Sequence, residues 1–407
     1  MGQPRYDVID ADQHILEPPD LWQRYLPKKY REHAPKLVKD SEGGDAWDHG
    51  TGDPHPIGLV CTPGQRFEEF RWFGNTYDSI RPGCYDGKER VKDLDIDGVD
   101  AAIIYPPERT IFRWLGHPDP DVSLAGIDAY NEFAFEEFCA ADRSRLFPMF
   151  KIPSLGLETA LKYLNRAVEK GARGVLIGSW PNGGETISEE DDAFWAACVE
   201  NGLPVHIHIL MGSREALVKE RSSGQTTTSG LRGSRSASQR AVGIGLASGI
   251  FTPVPPQIGQ LIFTGVFDRF PALQVVLVEC GVGWIPHLLE IMDDRYWRNR
   301  YWAGIDLKEP PSYYWHKNFA ATFMHDFVGV QLRYLVGVKN MMWSSDYPHH
   351  GNDWPHSRRL IEDMMKAVDA EERHAMVAGN AARILGLDQR EAVSDGRLRE
   401  KPKVASR

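Results

Sequence analysis

The chain has 407 residues, 42% hydrophobic and 11% aromatic, which is enough apolar material for a large core and too much for a disordered polymer. Its 47 basic and 57 acidic residues leave a net charge of −10, which speaks against a nucleic-acid or anionic-membrane partner and leaves a small-molecule substrate as the expected ligand. Five cysteines (Cys61, Cys84, Cys139, Cys198, Cys280) never fall in C-x-x-C spacing, so neither a disulfide framework nor a thiolate zinc site is expected. Met1 leads into polar residues and no apolar run reaches membrane-spanning length, so the expected location is the cytoplasm.

Short β-like runs alternate with amphipathic stretches along the chain. The predicted strands are 6–14, 99–105, 146–153, 171–180, 203–210, 273–281, 318–323 and 340–346. Helical spacing fills 127–139, 158–169, 189–200, 257–267, 284–297 and 357–368. Strand–helix alternation implies right-handed βαβ units, and eight such strands predict an α/β fold of the (β/α)8 TIM barrel type with long βα-loop insertions. An open doubly wound sheet is the structural alternative.

One domain is expected over 1–388, followed by a polar C-terminal tail at 389–407. Two excursions interrupt the rhythm, at about 16–92 and 211–250. The first carries the aromatic run Phe70-Arg-Trp-Phe73 and the second ends in the glycine-rich stretch 243–249. Both follow strand C-termini, where barrel enzymes build their sites, so both are read as cover over a site, with a subunit interface as the competing use.

Chemistry concentrates at strand ends. In Asp12-Gln13-His14, strand alternation points Asp12 and His14 the same way, a carboxylate–imidazole grip for a cation. In Leu203-Pro-Val-His206-Ile-His208, the two histidines share one face and the aliphatic residues the other. Glu279 ends an otherwise apolar strand, where alternation groups it with Leu273, Val275 and Leu277. A carboxylate there is costly unless a cation or strong donors meet it, and desolvation would raise its pKa toward general-base range. Asp346 ends the eighth strand and is followed by His349 and His350. His325 and Asp326 end the seventh, where Asp326 is read as a ligand or a helix cap. The glycine stretch lacks phosphate-loop and dinucleotide spacing, and neither H-E-x-x-H nor G-x-S-x-G occurs.

These motifs resemble the amidohydrolase superfamily, specifically the branch of aminocarboxymuconate-semialdehyde and resorcylate-type decarboxylases. The resemblance runs from Asp10-Ala-Asp-Gln-His14 through 203–208, Gly281-Val-Gly-Trp-Ile-Pro286 and Ser345-Asp-Tyr-Pro-His349 to 379–386. It implies that His14, His208 and Asp346 are metal ligands. Asp12 stands where the family has a first His or a Glu, and Glu279 where better-known members carry a His that assists proton transfer.

Two mechanisms follow. In one, a single Zn or Mn ion serves a hydrolase or a non-oxidative decarboxylase of a small carboxylate-bearing or carbonyl substrate, with Glu279 or Asp346 moving the proton. In the other, Asp12, His14, His206, His208, Glu279, His325 and Asp346 hold a dinuclear Fe/Fe or Mn/Fe centre of an oxygenase acting on a small amino or carboxylic acid. His349 and Trp72 are the expected substrate contacts. A homo-oligomer is expected, with a hetero-oligomer of related subunits as the other arrangement.

Overall fold

A computed structural model describes residues 6–50, 52, 54–153, 155–209, 211–223 and 253–387. The glycine stretch 243–249, most of the second excursion and the tail 389–407 lie outside the described residues.

All eight expected strands form. They are β1 (Ile9–His14), β5 (Ala101–Tyr105), a third strand in two halves, β6 (Leu146–Pro148) and β7 (Phe150–Lys151), then β8 (Val175–Ile177), β9 (Val205–His208), β10 (Val275–Val278), β11 (Phe319–Phe323) and β12 (Met341–Trp343). Every pairing between neighbours is parallel, in the order β1-β5-β6 and β7-β8-β9-β10-β11-β12. The third strand is continuous through Met149, whose N–H donates to the Ile104 carbonyl at 2.9 Å. β12 returns to β1 through a parallel bridge between Gln13 and Tyr347, where His14 N–H meets the Tyr347 carbonyl at 2.7 Å and Asp346 N–H the Asp12 carbonyl at 3.0 Å. The ring closes as a (β/α)8 barrel rather than an open sheet.

Alternation sorts the strand residues. Ile9, Ile103, Phe147, Leu176, Val276 and Met342 fill the barrel, while Val175, Val205, Val275 and Leu277 face the surrounding helices. Both faces are buried, which is why the runs read as nearly continuous apolar stretches. Each such side chain contributes roughly 1.5–3 kcal/mol by leaving water. Ala381, Ile384 and Leu387 join the inner cluster and plug the barrel opposite the strand C-termini. Asn380 ties that segment down by donating to the Val338 and Met341 carbonyls at 2.7 and 2.8 Å.

Helix bounds moved where capping overrode periodicity. The helix expected at 127–139 begins at Pro120, capped by Asp119, and the one at 284–297 runs Ile285–Ala303 until Gly304 (φ 67°) ends it. The first excursion holds an antiparallel sheet, β2 (Lys36–Lys39), β3 (Asp45–Asp48) and β4 (His55–Pro56), followed by helix Gly87–Asp97. Of the second, helix Arg214–Ser223 is described. Among the described residues no helix is long and apolar enough to cross a membrane.

Candidate metal centre

The first candidate pair, Asp12 and His14, depends on an irregularity in β1. Asp10 pairs with Ala102 and Gln13 with Ile104, so three steps along β1 answer two along β5. The extra residue is a bulge, and a bulge switches which face the following side chains take. Ile9 and Ala11 point into the barrel, and after the bulge Asp12 and His14 do too, whereas Asp10 is held by Ser345 and Gln13. Bulges re-aim side chains at barrel rims in this way.

On β9, His208 follows the inward alternation. On β10 the expected grouping fails: Val275 and Leu277 face the helices, and Glu279 does not share their side. Its backbone is left-handed (φ 61°), and this turn carries the carboxylate to within 3.6 Å of His208 Nε2. Asp346, at the end of β12, has the same left-handed backbone (φ 61°). A non-glycine residue in this region costs of order 1–3 kcal/mol and persists where the surroundings enforce it. Thr322 helps at Glu279, its hydroxyl accepting the Glu279 N–H at 2.7 Å.

The side chains converge. His14 Nε2 lies 2.9 Å from His208 Nε2, 3.4 Å from Asp12 Oδ1 and 3.5 Å from Asp346 Oδ1, and His208 Nε2 is 3.7 Å from Asp12 Oδ1. His14 Nδ1 donates to the Pro106 carbonyl at 2.8 Å, which leaves Nε2 as the lone-pair nitrogen of the neutral ring. Asp12, His14, His208 and Glu279 each offer an atom within 4.8 Å of one another, and His14, Asp346 and His349 do likewise. Both Asp12 oxygens and Asp346 Oδ1 are buried without a hydrogen-bond donor. Buried carboxylate oxygens are costly unless something positive meets them, and this mixed carboxylate–imidazole set fits a divalent cation.

The electrostatics agree. Burial works against the Asp12 charge, yet the adjoining His208 and His14 hold its carboxyl well below the usual range. Burial likewise opposes a charged His208, but Asp12, with help from Glu279, raises it to about 9. Glu279 is pushed up to about 7 by burial, against the pull of His208. Asp346 is driven well above the carboxylate range by burial and by the charges of Glu279 and Asp12.

Two expected ligands lie outside the cluster. His206 points into the barrel one layer deeper, where its Nδ1 meets the Tyr105 hydroxyl at 2.7 Å, and burial lowers its pKa to about 3. His325 stands half exposed at the rim, paired with Asp353. Asp326 is a cap, accepting the Gly329 N–H at 2.7 Å and also holding the Val282 and Gly283 N–H groups. His349 does reach the cluster, its ring 4.7 Å from that of His14. Trp72 is one residue further out, 6.5 Å from His350, which stacks on Phe70.

Sequence reading missed the residues that hold the candidate ligands. Arg90, wholly buried, donates to the His14 carbonyl at 2.7 Å and to Gln13 Oε1 at 3.1 Å, and its guanidinium lies 4.2 Å from the Tyr347 ring centroid. Helix periodicity gives no hint of it. Asp10 carried a signal, a second acid in an apolar strand.

A parallel α/β barrel whose strand ends bring three carboxylates and two imidazoles together defines a metal-binding barrel protein. The family model described as "Amidohydrolase" matches residues 113–387, and the chain belongs to that family. It is similar to "Decarboxylase orsB" of Emericella nidulans (26% identity over 246 residues, 58% of this chain and 68% of the relative). It is also similar to 2-amino-3-carboxymuconate-6-semialdehyde decarboxylase of Dictyostelium discoideum (24% over 317 residues, 77% and 80%). Among solved structures, an amidohydrolase from Mycobacterium avium subsp. paratuberculosis superposes with a TM-score of 0.69 at 19% identity, covering 94% of this chain and 100% of the other. A 5-carboxyvanillate decarboxylase of Novosphingobium aromaticivorans with bound manganese gives 0.63 at 18%, covering 94% and 97%. These superpositions show the shared barrel fold.

Proposed function

We propose that this chain is a divalent-metal-dependent, non-oxidative decarboxylase of a small carboxylate-bearing substrate. The observation that carries the reading is the buried convergence of Asp12, His14, His208 and Glu279, with Asp346 on the far side of His14. Both curated relatives are decarboxylases, which supports this reaction over hydrolysis and over the oxygenase. The dinuclear reading also loses His206 and His325, two of the seven ligands it drew on.

Asp12, His14, His208 and Asp346 would hold the ion, Mn or Zn. When bound, it would supply Lewis acidity toward a substrate oxygen. Glu279, whose carboxyl burial pushes up in the metal-free protein, stands at the rim of the cluster and would deliver the proton. The carbon–carboxylate bond breaks, CO2 leaves, and the electron pair left on carbon takes the Glu279 proton, with no net oxidation. His349 and Trp72 line the approach, and the first excursion covers it through the Phe70–His350 stack. The same reading takes the chain as a cytoplasmic homo-oligomer, for which the exposed Tyr301 and Trp302 offer an apolar face.

The test is to load the purified protein with manganese and supply a panel of small aromatic and unsaturated acids. The expected result is equimolar CO2 and decarboxylated product, no oxygen uptake and about one metal per chain. Oxygen consumption with two metals including iron, or ester or amide turnover without CO2, overturns the proposal.

A further inference from the structure

The barrel divides into two arcs. β9, β10, β12 and β1 carry the candidate ligands, while β5, the β6–β7 strand and β8 face them across the mouth. On that second arc Lys151 ends its strand. Phe147 and Met149 point inward, Phe150 and Ile152 outward, so alternation turns Lys151 inward. Its side chain is 0% exposed.

The ammonium donates to the two Glu108 oxygens at 3.2 and 3.4 Å, long for charge-assisted bonds, which run about 2.7–2.9 Å. An ammonium carries three N–H groups, and among the described residues Glu108 is its only hydrogen-bond acceptor, with the Phe112 ring 5.9 Å away. Glu108, on the helix that follows β5, is itself close enough for its charge to act on both His208 and Glu279. The absent side chain of Gly178 lets the ammonium pack close against the next strand, where a Cβ would lie 3.0 Å from Lys151 Nζ. A buried ion pair is weak support for stability, since well-packed apolar residues usually do as well. The pair at the mouth therefore needs another reason.

We propose that Lys151, steadied by Glu108, anchors a second anionic group of the substrate on the side of the mouth opposite the metal ligands. The inference rests on the decarboxylase reading and narrows it: the substrate is a diacid or an acid bearing a second ionised oxygen, held at both ends. One end meets the metal centre, the other the ammonium.

The test is calorimetric titration of the manganese-loaded protein with benzoate and with the ortho, meta and para benzenedicarboxylates, none of which has to react. At least one dicarboxylate is expected to bind about tenfold or more tightly than benzoate. Lys151→Met removes this margin while manganese content and benzoate affinity stay unchanged. Gly178→Ala crowds the ammonium without touching its charge and cuts the margin several-fold, and it decides the question if Lys151→Met does not fold. No margin in the wild type, no binding of any probe, or a margin that survives either substitution overturns the anchor. Failure of the decarboxylase reading looks different: the margin and its loss are seen, but no acid releases CO2.

Discussion

Ser345 donates its backbone N–H to Asp10 Oδ1 at 2.9 Å, joining the end of the last barrel strand to the first. The same carboxylate accepts the Ser345 hydroxyl, the Gln13 side-chain amide at 2.8 Å and the Asp12 N–H at 3.2 Å. One buried acid thus fixes the neighbours of both Asp12 and Asp346. Asp10→Ala leaves these donors unpaired, and the expected loss is about 2–4 kcal/mol in urea unfolding. Manganese affinity should fall about 10–100-fold in the same variant. Intact affinity in the destabilised protein would show that the network supports the barrel and not the ligands.

The ligand assignment makes a contrast. Asp12→Ala and His14→Ala should retain less than about a tenth of the wild-type metal by elemental analysis, because each removes a donor from the centre of the cluster. His206→Gln and His325→Ala should retain it all, since both lie outside the cluster, with His206 Nδ1 on Tyr105 and His325 paired with Asp353.

Metal uptake should release protons. Without metal, His208 titrates at about 9 and Glu279 at about 7, so near pH 7 His208 is charged and must lose its proton to ligate. Manganese affinity should therefore rise with pH between 7 and 9, by up to about tenfold per unit, with matching proton release in calorimetry run in two buffers. A flat profile would mean that His208 does not ligate.

Glu17 gives a separate pH signature. Burial lifts it from 4.5 to about 7, with the Thr110 hydrogen bond pulling the other way. A carboxyl with a raised native pKa binds its proton more tightly folded than unfolded. Its penalty on stability is therefore absent below pH 4.5, grows as pH rises toward 7 and is complete above it. Glu17→Gln lacks this penalty, so relative to wild type it should be more stable at pH 8 than at pH 4 by about 3 kcal/mol, read from urea midpoints.

The proposed role of Trp72 is binding rather than chemistry. Its ring lies 5.6 Å from the Arg109 guanidinium and 6.5 Å from His350. Trp72→Ala should raise KM several-fold and leave kcat within about twofold, the pattern of lost uniform binding. A collapse of kcat instead would assign Trp72 to the reacting geometry.

The barrel was legible because its strands are buried on both faces and separated by helical periods, a pattern few other folds produce. His14, His208, Glu279 and Asp346 were legible as charged ends of apolar runs. Their exact grouping was not: strict alternation assigned Glu279 to the face of Val275 and Leu277, and only the left-handed residue at the strand end corrects this. His206 shows the opposite error. Its spacing is indistinguishable from that of His208, but one layer of depth puts it against Tyr105. Lys151 ends an apolar run just as Glu279 does, yet a cation at a strand end carries no metal-ligand signal. Arg90 acts from a helix across the chain, and contacts of that range leave no periodic trace.

The backbone at Glu279 and Asp346 sets function against folding at single positions. Glycine would adopt φ near 61° without strain, and it would also remove a desolvated carboxyl group from the metal-free protein. Glu279→Gly should therefore melt higher than the metal-free wild type while losing the proton donor. Directed evolution for thermal tolerance alone would be drawn to these two codons first, and selection for heat resistance in this scaffold would quietly disarm it.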